Sequence, residues 1–465
     1  MTRLFILLAV LMTALLLAGG DLRPDAVAAG AVYYVAPNGN DANPGTLARP
    51  WRTIQHAAAT LTAGDTVYIR AGTYSERVVP LRSGSAGQVI TYAAYPGETA
   101  TIDGTGVAVP EWEGLFHIVN KAYLRVSGLR VLNAGSNPHN PGILVDGSSY
   151  IVIENNFVSH TNDSGIGVWG SDHVVVTRNE VEQACLGGFN ESISVGGTDV
   201  FEVSYNRVHD GPKEGIDLKD GSSNGKVFGN EVYSTQAVGL YVDAWDKHTY
   251  NIEVYQNVVH DIAAMGFAIA SEMGGLLENV RLYNNIAYHN RHVGIWLSGC
   301  CPESPTHPVR GIAIINNTLH NNGWQDWGGG IGIENTQVQT VTIRNNICSQ
   351  NTYSQMAADP DVLPELTVDH NLTDGDRDPE FEFSGADDLI GVSPSFVNPS
   401  TADYHLQPGS PAIDHGSAVA APDADFAGHS RPQDGDGDGA AGYDIGAYEF
   451  RPPARRLYLP LIVKA

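Results

Sequence analysis

The chain is poor in charge, in basic residues, in cysteine and in long apolar runs, and each shortage narrows what it can be. Only 17% of its 465 residues are charged, and 26 Lys and Arg stand against 52 Asp and Glu, for a net charge of −26. Phosphate backbones need a basic surface, so nucleic acid is excluded as a partner. An acidic polysaccharide stays open provided that a local cation reverses the sign, and the plain reading of the acidity is solubility outside a cell. The 4 cysteines, Cys185, Cys300, Cys301 and Cys348, are too few and too irregular for a disulfide framework or a zinc site. One bridge from Cys348 to Cys300 or Cys301, or buried unpaired thiols, are the two readings left. Beyond the first segment nothing approaches the ~18 continuous apolar residues of a membrane span. That segment, residues 1–29, has Arg3, an apolar Leu4–Leu17 and small residues at Ala18–Gly20 and Ala26–Ala29. This is the layout of a secretory signal, and it predicts a secreted or cell-surface protein.

Glycine is abundant, at 52 residues, and one phrase recurs: an alternating apolar strand, an Asn, two or three more apolar residues, then a polar bend. The Asn falls at Asn156, Asn179, Asn206, Asn230, Asn257, Asn285, Asn317 and finally Asn346, in steps of 23, 27, 24, 27, 28, 32 and 29 residues. A period in the twenties built of short alternating strands marks a solenoid in which coils stack strand upon strand. Val and Ile at period 2, with dense Gly and Asn, disfavour helical repeats. An Asn at the same bend of every coil suits a buried ladder, since its amide both donates and accepts. The fold class expected is all-β, a single-stranded right-handed parallel β-helix, the hand following both from the general rule for parallel crossovers and from a resemblance given below.

Five regions follow from the pattern: the signal at 1–29, a cap and first coils at 32–114, repeats at 115–372, a C-terminal module at 373–450 and a basic–apolar tail at 451–465. Thr53–Leu61 reads as a helix that covers the open N-terminal end of the stack, where terminal strands would expose unpaired backbone. The segment YYVAPNGNDANPGTLARPWRTIQHAAATL from Tyr33 closely resembles the N-terminal part of secreted, pectate-lyase-like right-handed β-helix proteins, many of them polysaccharide lyases and some glycosidases. YHLQPGSPAIDHG (Tyr404–Gly416) and RPQDGDGDGAAGYDIGAYEF (Arg431–Phe450) resemble a terminal module that is often tied to surface attachment. Within it, Asp434, Asp436 and Asp438 alternate with Gly as in a Ca²⁺ loop, although the Glu that would complete an EF-hand is missing and a solvated acidic turn is the alternative.

A second phrase opens with Gly at Gly165, Gly215, Gly239, Gly266, Gly294 and Gly330. Strand side chains alternate with period 2 and stacked strands lie about 4.8 Å apart, so the second and fourth residues after each Gly form two outward columns. The first reads Gly167, Asp217, Tyr241, Ala268, Trp296, Gly332, and the second Trp169, Lys219, Asp243, Ala270, Ser298, Glu334. Asp217, Lys219, Tyr241 and Asp243 therefore share one patch, flanked by Glu214, Asp220, Glu272 and the turn Trp245–His248. A salt-bridged ladder without chemistry is the structural alternative. Trp169, Trp245, His248, Arg291 and Trp296 are candidates for holding sugar.

Two mechanisms fit the patch. In β-elimination on a uronate, Lys219 is the expected base, Tyr241 the acid, and Glu214 with Asp217 the holders of a Ca²⁺. In glycoside hydrolysis, Asp217 and Asp243 are the paired carboxylates, with Glu272 close by. The segment VHDGPKEGIDLKDGSSNGKVFGNEV is similar to the metal-and-base coil of the alginate lyase and chondroitinase B family, in which a Glu precedes the catalytic Lys by five positions, as Glu214 precedes Lys219. That resemblance implies a metal-binding Asn one coil earlier, at Asn190. This chain departs from it at Pro212, where the family has a second Glu, and at Tyr241–Asp243, where it has an Arg–His pair. The expected protein is thus a monomeric, carbohydrate-active solenoid, most simply a polysaccharide lyase on a uronate glycan. A glycoside hydrolase and a non-catalytic glycan-binding protein are the alternatives.

Overall fold

The computed structural model describes residues 30–298, 306–323, 329–375, 377–378 and 380–452. The segment read as a signal at 1–29, Cys300, Cys301 and the tail from 453 lie outside the described residues.

The β-branched, period-2 segments form parallel strands that wind into a right-handed β-helix. Among the described residues there are three long parallel sheets of 13, 13 and 10 strands. The first begins at Val32–Val35, the second at Gly72–Tyr74 and the third at Phe116–Val119, and from Phe116 onward each coil contributes one strand to each. Register is in phase from coil to coil: Ile151 pairs with Val174, Val174 with Phe201 and Phe201 with Gly225. Alternate residues of each strand point into one continuous apolar core.

The chain turns from the first sheet to the second at the repeated Asn. The preceding residue takes a left-handed conformation at Tyr205, Gln256, Asn284, Asn316 and Asn345. Such non-Gly residues cost roughly 1–2 kcal/mol each, which the bonds of the following Asn offset. Asn230 Nδ2 donates to Asn257 Oδ1 at 2.9 Å, and Asn257 Nδ2 to Asn285 Oδ1 at 3.0 Å. Each Oδ1 also accepts the backbone N–H of the preceding ladder residue. The expected ladder is therefore present, but it does not stop at Asn346. Asn346 donates to Asn371 Oδ1 at 3.0 Å, and Asn371 to Asp388 Oδ1 at 3.2 Å. A second, shorter ladder runs Asn290, Asn322, Asn351, Gln355.

The run read as a helix is one over Ile54–Thr60, with the Thr53 hydroxyl accepting from His56 N–H and Ile54, Ala57 and Ala58 buried. Cys185 and Cys348 are buried free thiols. Among the described residues no helix is long and apolar enough to cross a membrane.

The C-terminal module folds back over the outer face of the second sheet. Phe396, Tyr404, Leu406, Ile413 and Ile445 close a core of their own with Ile286, Ile347 and Leu372 of the solenoid. The left-handed bend residues zip it down: Gln256 donates to Asp425 O, Asn284 to Ala424 O, Asn316 to Asp444 O and Asn345 to Ser417 O, at 2.7–2.9 Å. Inside it, Arg431 is fully buried, paired with Glu449 at 3.1 Å and bonded to the carbonyls of Asp444 and Gly446. With the second sheet covered there, the third sheet is left to present chemistry.

Candidate functional site

The outward columns read from the sequence lie on the third sheet. Asp217 pairs with Tyr241, Tyr241 with Ala268, Ala268 with Trp296 and Trp296 with Gly332, while Asp243 pairs with Ala270. Their neighbours Ile216, Leu218, Leu240 and Val242 are in the core, so Asp217, Lys219, Tyr241 and Asp243 point away from it. One coil was missing from the columns. The strand Ile193–Gly196 lies between those of Trp169 and Lys219, pairing Ser194 with Asp217 and Gly196 with Lys219. It escaped the Gly-led phrase because Ser192 stands where the other coils have Gly.

That coil brings Glu191, which the sequence reading did not single out. Ser194 Oγ donates to Glu191 Oε2 at 2.6 Å, and Lys219 Nζ donates to Glu191 Oε1 at 2.6 Å, with Asp217 Oδ2 at 3.6 Å from the same ammonium. The Lys219 ammonium also sits 5.6 Å from the centroid of the Trp169 ring. Trp169 reaches there because Gly196 has no side chain: a Cβ would lie 2.1 Å from Cζ3 of the ring. Tyr241 donates its phenol proton to Glu272 Oε1 at 2.8 Å, and Asp243 Oδ1 accepts from Trp245 N–H at 2.9 Å.

The patch faces outward but is largely buried. Asp217, Tyr241 and Asp243 are 3%, 6% and 1% exposed. The turn Ala244–His248 and the loop Ser271–Gly275 roof it, joined by Met273 N–H and Gly275 N–H donating to Trp245 O. Lys219 and Glu272 are the members of the patch that reach solvent in part.

Burial sets the proton affinities. Asp217 is pushed well above the usual carboxylate range by desolvation, then by Glu191, against the pull of Lys219. Its Oδ1 is buried with no hydrogen-bond partner. Asp243 is pushed up to about 7 by burial, against the Trp245 N–H. Burial, with Asp243 and Glu272 beside it, holds the Tyr241 phenol well above its ordinary value. Burial alone would lower the Lys219 pKa, but Asp217 and Glu191 outweigh it and raise it. The site thus holds a firmly charged ammonium and two carboxyls that keep protons unusually well.

Other expected members are dispersed. Trp296 is buried against Tyr241, Ala268 and Val293 rather than offered as a platform. Trp245 is exposed, whereas His248 turns toward the first sheet, its Nε2 3.0 Å from Glu278 Oε2. Arg291 lies in the bend before Val293–Ser298. Glu214 is raised by burial and by Glu191, and pairs with Lys213 at 3.4 Å. Asn190 donates to Asp163 Oδ1 at 2.8 Å.

A Ca²⁺ wants several hard oxygens aimed at one point. Among the described residues, three acidic or His ligand atoms lie within 4.8 Å of one another at Glu180–Glu182–His209 and at Asp414–Asp434–Asp436. The third-sheet carboxylates are not such a group; Asn190 donates to Asp163, and Glu214 Oε2 has the Lys213 ammonium at 3.4 Å but no hydrogen bond. The residues as placed do not converge on a calcium there. In the C-terminal loop Asp414 replaces Asp438 as the third member; the Asp438 carboxylate instead accepts from Ala440 N–H.

Comparison with known proteins agrees with the fold. A model described as "Pel9A-like, right handed beta helix region" matches residues 33–185, and one described as "Right handed beta helix region" matches residues 141–304 and 273–361. The uncharacterized protein YwoF of Bacillus subtilis (strain 168) is 30% identical over 468 residues, covering 88% of this chain and 98% of that one. Pectate lyase L of Paenibacillus polymyxa (strain SC2) is 31% identical over 353 residues, 74% of this chain and 66% of that one. The crystal structure of pectate lyase Pel9A superposes with a TM-score of 0.53 at 17% identity, over 92% of this chain and 98% of that one. The chain belongs to the pectate-lyase-like right-handed β-helix family.

Proposed function

We propose that this is a secreted polysaccharide lyase that cleaves a uronate-containing glycan by β-elimination at the Lys219 patch. The observation that carries the reading is the Lys219 ammonium, held at Glu191 with Asp217 nearby on the outward face of the third sheet. It is a local positive charge in a chain of net charge −26. The similarity to pectate lyase L and the Glu214–Lys219 spacing support the same class. Secretion rests on the signal-like residues 1–29, and the helix Ile54–Thr60 is proposed as the cover of the N-terminal end.

The roles proposed here differ from the simplest expectation. A base must lose its proton first, and the carboxylates beside Lys219 oppose that. Lys219 instead suits the cation that neutralises the uronate carboxylate, since an ammonium has three donors and two face Glu191 and Asp217. Asp243, with its pKa near 7, is the base that takes the proton α to that carboxylate. The electron pair forms the new C=C bond, the bond to the glycosidic oxygen breaks, and Tyr241, which keeps its proton in the resting site, supplies it to the leaving oxygen.

One observation favours a second reading. Asp217 and Asp243 both have raised pKa values on neighbouring coils, as a hydrolase's proton-donating carboxyl would. The test is incubation with uronate-containing and neutral glycans, with and without EDTA, following both unsaturated-uronate absorbance and new reducing ends. Absorbance rising with the reducing ends supports the lyase. Reducing ends without absorbance establish the hydrolase, and neither signal leaves a glycan-binding protein. Loss of activity with EDTA would point to a bound cation, for which Glu180, Glu182 and His209, or Asp414, Asp434 and Asp436, are the grouped ligands.

A further inference from the structure

N-terminal to the Lys219 patch, the outer side of the third sheet carries a cavity of about 310 Å³ whose walls include Trp112, His139, Asp146, Asp163, Trp169 and Asn190. The Trp112 ring stacks on His139 at 3.7 Å and 11°, and the Phe189 ring meets His139 at 4.0 Å and 59°. Trp112 is 59% exposed and Phe189 43% exposed, although both are large apolar side chains that ordinarily seek burial. Neither belongs to the solenoid core; both stand on loops brought together by coils that are far apart in sequence. Trp169 is shared: one part of it meets Lys219 and another lines the cavity.

We infer that this cavity is a separate subsite for an uncharged pyranose of the glycan chain. The apolar face of a pyranose presents C–H bonds with slight positive charge, which the electron-rich face of Trp112 in the wall attracts, with Phe189 packed on the His139 that backs it. The Asp146 carboxylate and the second oxygen of Asp163 offer acceptors for its hydroxyls, while Asn190 and Ser164 hold Asp163 in place. The charge pattern selects against a uronate. The ionisable side chains of the wall are Asp146, Asp163 and His139, with no Lys or Arg among the residues that line it. A second uronate carboxylate would face two carboxylates without a cation, and like charges brought together at an interface are costly. The strands of Leu144 and Trp169 lie three and two coils before that of Asp217, or about 10–15 Å along the axis. A chain cleaved at Lys219 therefore places a neutral sugar a few residues from the uronate. The substrate is a heteropolysaccharide in which uronate and neutral sugars mix. This rests on the proposed function for the uronate, and on the cavity alone for the neutral sugar.

The test is titration of the whole protein with xylohexaose, cellohexaose, mannohexaose and, as the acidic comparison, hexagalacturonate, followed by tryptophan fluorescence. At least one neutral oligosaccharide is expected to bind, and Trp112→Ala and Phe189→Ala to weaken it about five- to tenfold. Hexagalacturonate binding should be unchanged in both variants, and thermal midpoints should match the unaltered protein. The inference is overturned if no neutral oligosaccharide binds, if both variants bind it normally, or if hexagalacturonate binding falls as far. Because binding is read without turnover, a failed lyase assay leaves this result standing, and a failed titration leaves the lyase assay standing.

Discussion

Replacing Asn230 by Ala probes the device that holds the coils in register. Asn230 Oδ1 accepts from Asn206 N–H at 2.9 Å and Asn206 Nδ2 at 3.0 Å, and its own Nδ2 donates to Val203 O at 2.9 Å. All of this is buried, since Asn206 and Asn230 are each 1% exposed. Asn206 Nδ2 keeps its bond to Val176 O. The Asn206 N–H loses its acceptor and the Val203 carbonyl loses a donor. At roughly 1–3 kcal/mol for a buried group left unpaired, and less for a carbonyl with a second partner, the loss should be about 2–4 kcal/mol. Asn346→Ala should cost as much, because Asn346 sits inside the ladder with Asn371 beyond it. Asp388→Ala is the contrasting change. It ends the ladder at a half-exposed position where water can replace it, so no more than about 1 kcal/mol is expected. Urea unfolding of the three variants, compared at constant slope, reads these values. Equal and negligible losses at Asn230 and Asp388 would reduce the Asn repeat to a turn preference and refute the ladder as a source of stability.

Gly196→Ala places a Cβ 2.1 Å from the Trp169 ring, so it should displace that ring from Lys219 and weaken glycan binding by calorimetry while the far-ultraviolet spectrum is kept. Arg431→Ala leaves Glu449 buried without its cation, at a cost of roughly 3–5 kcal/mol, and limited proteolysis should then release fragments from residues 373–450 first. Glu449, pushed up to about 7, and Asp444, to about 6, both by burial, bind protons more tightly folded than unfolded. Their contribution to stability is therefore fullest near pH 4 and declines as pH rises through 6 and 7. The thermal midpoint should accordingly be higher at pH 5 than at pH 8, and a higher midpoint at pH 8 would contradict the assignment.

The repeats were legible because each coil is built from local, period-2 strands and a bend that needs one residue type. Asn156 through Asn346 could be aligned by eye, and the outward columns through Asp217 and Tyr241 match the observed register. What was lost lies where one coil breaks its phrase. Ser192 in place of Gly hid a strand, and with it Glu191, the closest partner of Lys219. Burial was illegible too. Period 2 says that Asp243 points away from the core, but not that the Ala244–His248 turn and the Ser271–Gly275 loop close over it. Trp112 and Phe189 meet only through their loops, so no spacing announces them. The acidic C-terminal motif read as a cation loop, yet much of its length serves to bury Arg431 and to dock on the second sheet, contacts that span more than a hundred residues.

The central claim is that Asp243 moves the proton while Lys219 stays charged. The pH dependence of kcat/KM, followed by unsaturated-uronate absorbance on a cleaved glycan, tests it most directly. A rising limb is expected with a midpoint near 7, the value to which burial pushes Asp243, together with the loss of turnover in Asp243→Asn. A rate that instead climbs only above pH 9, as a lysine base would require, would contradict it.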